Sequence, residues 1–167
     1  MLFDDLLLCV SSAPSVVADK AIFGFGYGGS GDTNITNLVS NTGVVASDQS
    51  ALTGTARDNL AAAGYGNGKA IFGFGFGFGG SGDTNITNLV SNTGVVASDQ
   101  SALTGTAGYG LAAAGYGNDK AIFGFGFGFG FGGDKNITNL VSNTGVVASD
   151  QSALTGTARY GLAAATY

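Results

Sequence analysis

The chain has 167 residues, with six Lys+Arg against eleven acidic residues, all of them Asp, for a net charge of -5. With only 10% charged residues and that sign, no phosphate-seeking basic surface is expected, and so no nucleic-acid partner. Histidine and glutamate are absent, which removes most general acid–base catalysis, while 31 glycines and a hydrophobic share of 44% are too apolar for a solvated disordered chain.

Residues 1–19 form an N-terminal segment. The apolar run Leu6 to Val10 follows Asp4 and Asp5, the opposite charge to that of a signal peptide. No run approaches the ~20 apolar residues of a membrane-crossing helix, so no membrane partner is expected. Leu6 to Ser12, with Pro14 in the turn after it, is a candidate extra strand. Cys9 has no intramolecular disulfide partner and reads as an inert thiol, so no compartment follows from it.

From Lys20 onward one unit occurs three times. NITNLVSNTGVVASDQSALTGTA stands unchanged at Asn34 to Ala56, Asn85 to Ala107 and Asn136 to Ala158, 51 residues apart. KAIFGFG precedes each copy, from Lys20, Lys69 and Lys120, and LAAA follows each, from Leu60, Leu111 and Leu162. The repeats are therefore drawn as 20–59, 60–110 and 111–161, with a closing strand at 162–167. Turn signals cut each unit into four strands: a (LAAAGY), b (KAIFGFG), c (ITNLVS) and d (GVVAS). Asn67-Gly68 between a and b predicts a two-residue type I′ hairpin, with Asn118-Asp119 in the same place one repeat on. Glycine density and β-branched runs oppose helix throughout.

The Gly-Phe tract grows in steps of two, from Phe23 to Gly29, then Phe72 to Gly80, then Phe123 to Gly133. Strict alternation predicts one continuous strand with every ring on one face and every glycine on the other. A two-residue step keeps that facing, whereas a single insertion would invert it.

A unit of about 50 residues, four strands, a double glycine after the second strand and an arginine before the first resembles the kelch repeat, the blade of a β-propeller. The double glycines are Gly28-Gly29, Gly79-Gly80 and Gly132-Gly133; the arginines are Arg57 and Arg159, with Gly108 departing between them. The resemblance implies an all-β fold of four-stranded antiparallel blades, and a ring closed by a blade shared between the chain's two ends. Three blades are too few to close a ring, so oligomerisation is expected to complete it. Either two chains form a six-bladed dimer through the C-terminal run Leu162, Ala163, Ala164 and Ala165, or Leu6 to Ser12 fills the gap in cis and the last run joins chains into open polymers.

No site chemistry rises above its structural reading. Gly28-Gly29-Ser30-Gly31-Asp32 is similar to a secreted calcium-binding repeat but fails its register, so no metal is expected. The three Asn-x-Thr sequons from Asn34, Asn85 and Asn136 read as turn chemistry, and Asp48, Asp99 and Asp150 as solvated loop charges. No lysine or aspartate is spaced to activate a serine, so neither enzyme activity nor a cofactor is expected. The resemblance implies a platform for a protein or glycan, and the b-to-c loops at Asp32, Asp83, Asp134 and Lys135 are the candidate recognition surface. A self-assembling fibre or coat protein, polymerising through its terminal strands, is the alternative.

Overall fold

A computed structural model describes residues 20–49, 54–77, 82–100, 105–128, 132–151 and 155–167. The N-terminal strand candidate and Cys9 lie outside these residues. The first repeat holds β1 (Ala21–Gly24), β2 (Tyr27–Gly28), β3 (Gly31–Asp32) and β4 (Thr36–Val39). The second holds β5 (Ala61–Tyr65), β6 (Lys69–Gly73), β7 (Phe76–Gly77), β8 (Gly82–Asp83) and β9 (Thr87–Val90). The third repeats that series as β10 (Ala112–Tyr116), β11 (Lys120–Gly124), β12 (Phe127–Gly128), β13 (Gly133–Asp134) and β14 (Thr138–Val141). Among the described residues there is no helix, and the fold is all-β with antiparallel sheets.

Runs a, b and c form the sheets β5-β6-β9 and β10-β11-β14 in sequence order, while the first repeat supplies only β1-β4. The central residues align as Ala63↔Ile71↔Leu89 and Ala114↔Ile122↔Leu140. Run d joins each sheet through one bridge, such as Val90↔Val96. Beyond it the backbone keeps Ala97 N to Leu89 O but then skips a residue to Gln100 N and Thr87 O. That one-residue slip is a bulge, and the side-chain amide of Asn88 fills it by donating to Ala97 O at 3.1 Å.

Two local expectations are corrected. The a-to-b connection spans three residues, Gly66, Asn67 and Gly68, all at positive φ (50°, 58° and 79°), because Tyr65 and Lys69 are the last pair across the strands. The Gly-Phe tract is not one strand either. Phe25, Phe74 and Phe125 take φ of 63°, 62° and 64°, and the glycine after each is also left-handed, so the chain kinks and the second ring leaves the face of the first. The kink satisfies the backbone elsewhere: Gly26 N donates to Arg57 O, Gly75 N to Gly108 O and Gly126 N to Arg159 O, at 2.9 to 3.0 Å.

The sheets stack face to face in register. Phe72 lies over Gly24 and Phe123 over Gly73, so that a Cβ built on Gly73 would stand 2.7 Å from Phe123 Cζ. Glycine on b is therefore the socket for the next repeat's ring. The kinked rings close the same seam edge-to-face, Phe25 on Phe72 and Phe74 on Phe123, with centroids 5.2 Å apart in both pairs. Ile71, Phe74, Ala121, Phe123 and Val141 are fully buried at the seams between repeats, whereas Phe23, in the first repeat, is 62% exposed.

Candidate functional site

The buried polar chemistry of the molecule is concentrated at the seams between repeats. Arg57, in the connection leading to the second repeat, is fully buried. Its Nε donates to Phe74 O at 2.7 Å, Nη1 to Thr55 O at 3.0 Å and Nη2 to Asn88 Oδ1 at 2.7 Å. Its guanidinium carbon sits 4.4 Å from the Phe25 ring centroid, so one side chain grips both repeats. Asn88 passes the network on, donating from Nδ2 to Asp99 Oδ1 at 2.9 Å. Asp99 Oδ2 accepts from the Thr55 hydroxyl at 2.6 Å and from the Thr55 amide at 3.0 Å.

This overturns the reading of Asp99 and Asp150 as solvated loop charges. Both are half-buried and act as acceptors that anchor one repeat's connection to the next repeat's bulge. Burial pushes the Asp99 carboxyl up, but the Thr55 and Asn88 donors and the Arg57 charge outweigh it and leave it below the usual carboxylate range. Arg57 itself is lowered to about 10 by burial, with Asp99 pulling it back, and so stays charged at neutral pH.

The second seam solves the same problem with a different cation. Gly108 stands where Arg57 would repeat, and Lys135 stands where Thr84 does. The Lys135 ammonium turns inward to donate to Ala107 O, and stands 3.1 Å from where a Cβ on Gly108 would lie. Burial lowers its pKa, and the charges of Asp83 and Asp150 oppose that shift. Thr106 and Asn139 bond Asp150 as Thr55 and Asn88 bond Asp99.

The four recognition candidates lie in the b-to-c connections of the three repeats. Asp32, Asp83 and Asp134 end the short strands β3, β8 and β13, opposite Tyr27, Phe76 and Phe127. Asp32 and Asp83 are half-buried, Lys135 belongs to the second seam, and Asp134 alone is exposed. Leu162 to Ala165 form no strand, whereas the earlier a runs are held as strands by pairing with b runs. The run still lies along β10, with Thr166 Oγ1 donating to Gly115 O at 2.9 Å and Gly161 N to Gly110 O at 2.8 Å.

Sequence reasoning singled out Arg57 only as a family position, and missed its partners Thr55 and Asn88. The exchange of Arg57 with Thr84 for Gly108 with Lys135 was the available signal: among the few positions at which these repeats differ, two that change together can mark a contact.

At the outer edge of β1, an open groove of about 660 Å³ is lined by Ala21, Ile22, Ala63, Phe72 and Gly94 among others. In the next two sheets that edge position is held by β5 and β10. Among the described residues, no group of three or more His, Cys, Asp or Glu could hold a metal ion, and no helix is long and apolar enough to cross a membrane. These features define an all-β tandem-repeat protein of stacked antiparallel sheets. No protein-family model matches the chain, and no curated protein matches it.

Proposed function

We propose that this is a non-enzymatic structural protein, a kelch-like stack of blades that assembles by completing its first sheet with the last run of another copy. The outer edge of β1, which pairs with no strand among the described residues, carries this reading. It is bordered by the apolar face of β5, and the chain's final run, Leu162 to Ala165, has the sequence of the strands that occupy that place in the other repeats. The chemistry supports it, since the buried Arg57 and Asn88 and the half-buried Asp99 fasten repeats to one another. Light scattering across a size-exclusion peak tests it. A discrete two-chain mass supports a six-bladed ring and a concentration-dependent series supports an open polymer; a 16.4 kDa monomer at every concentration overturns it.

A second reading, a platform for a protein or glycan, is favoured by Val44, Val95 and Val146. They are 65%, 66% and 66% exposed, one per repeat, and so form a periodic apolar row along the stack. Serine at all three should abolish binding to a glycan or peptide array without changing the mass; an array signal that is absent or unaffected overturns it.

A further inference from the structure

The two ends of the stack present the separated halves of the seam found inside it. At one end, Asn37 and Asp48 are the first-repeat counterparts of Asn88 and Asp99. Asn37 Nδ2 already donates to Asp48 Oδ1 at 2.8 Å and to Ala46 O at 3.2 Å, so the acceptor half is built. Yet Asp48 is exposed and Asn37 only half-buried, where Asn88 and Asn139 are buried. At the other end, Thr157 and Arg159 are the counterparts of Thr55 and Arg57. Arg159 stacks 4.2 Å over the Phe125 centroid and donates from Nη1 to Thr157 O at 3.1 Å, the posture of Arg57 over Phe25, but it is exposed.

Two further features match across the same two ends. Phe23 is an exposed ring without a socket, and a Cβ on Gly124 would meet atoms of its own repeat alone, a socket without a ring. The aromatic column Phe76, Tyr109, Phe127 and Tyr160, with centroids 5.4 to 5.7 Å apart, ends on Tyr160 at 57% exposure. Its next member by the 51-residue repeat would be a Tyr27 equivalent, and Tyr27 is 66% exposed at the opposite end.

From this we infer that copies join head to tail through a rebuilt seam, in which Arg159 and Thr157 of one copy engage Asn37 and Asp48 of the next while Phe23 enters the Gly124 socket. The inference rests on the assembly reading above and adds what fixes its direction. Two like ends would bring together two arginines or two aspartates, whereas unlike ends pair opposite charges over a surface whose complementarity the internal seams already exhibit. A six-bladed ring and an open stack both use this contact; they differ only in closure.

Charge reversal on each side provides the test. Arg159→Asp and Asp48→Arg are exposed positions outside the internal seams, and matching thermal melts of the isolated variants check folding. Each variant alone should weaken association at least ~tenfold by light scattering, since like charges then meet in the contact. An equimolar mixture should regain it, because Arg159 of the Asp48→Arg chain meets Asp48 of the Arg159→Asp chain. Arg159→Ala serves where reversal disturbs the fold, with the same expected loss. Variants that associate like the parent chain, or a mixture that stays at the mass of one chain, would overturn the inference while leaving strand-completion assembly standing. A parent chain that never associates would end both.

Discussion

Arg57 shows why an arginine, and not a lysine, fits the first seam. Its planar fork reaches three acceptors in different directions, Phe74 O, Thr55 O and Asn88 Oδ1, while its face rests on Phe25. The acid beside it carries a pH signature. Asp99 is held below the ordinary carboxylate value in the fold, so its stabilisation is complete above the unfolded value, roughly 4, and is lost as pH falls through the folded one. Asp99→Ala should cost about 1–3 kcal/mol at neutral pH, from unpairing Thr55 and Asn88, and should flatten the acid limb of stability in urea melts at stepped pH. An unchanged limb would count against the lock. Asp58 has the opposite sign. Burial and the nearby Asp32 charge raise its carboxyl, a penalty present at neutral pH and relieved as pH falls below the folded value. Its counterparts are Tyr109 and Tyr160, which stack on Phe127. Asp58→Tyr should therefore stabilise by about 1 kcal/mol, a rise in Tm of roughly 2–4 °C, and the gain should shrink in acid; a lowered Tm at pH 7 would refute the column.

At the scale of elements, the strands were legible and the way they use their residues was only partly so. Runs b and c, and the a runs of the second and third repeats, appear where alternation, glycine punctuation and β-branched residues placed them, because those signals act within a few residues; the last a run forms no strand and run d only a bridge. The kink at Phe25, Phe74 and Phe125 was not legible, since alternation is compatible with a continuous strand and nothing local forbids one. A left-handed phenylalanine costs on the order of 1 kcal/mol or more and persists here because the ring packs and the freed amides bond another segment, contacts that no window of sequence contains. The seam cation shows the same nonlocality, and it allows a clean exchange experiment. Gly108→Arg alone brings a second cation beside Lys135 and sets its Cβ 2.8 Å from Phe127 O, and Lys135→Thr alone removes the cation that lowers the Asp150 pKa at that seam. Each should destabilise, while the double variant places one cation at the seam, as in the first, and should recover the part of the loss that comes from charge, the contact with Phe127 O remaining. A double-mutant cycle with coupling below about 0.5 kcal/mol would mean the two positions are independent.

For the whole molecule, stacking makes stability quasi-one-dimensional: each repeat is held by its own sheet and by its neighbours. The middle repeat is covered on both faces. Among the described residues the first has a two-stranded sheet in place of three strands, and Phe23 is exposed where Phe72 and Phe123 are buried. Local opening should follow that asymmetry, because opening β1 breaks fewer ladder bonds and exposes less new apolar surface than opening β6 or β11. In dilute solution, amide exchange in the segment Ala21–Gly24 should then be faster than in Lys69–Gly73 and Lys120–Gly124. Assembly would change this selectively. A last run docked beside β1, with Arg159 bonded to Asn37, supplies the missing neighbours, so protection of β1 should rise with protein concentration while that of β6 stays constant. The Arg159→Asp chain should show the slow-to-fast gradient at every concentration. If β1 is as protected as β6 in dilute monomer, its edge is already covered within one chain, and the directional stacking of copies loses its driving force.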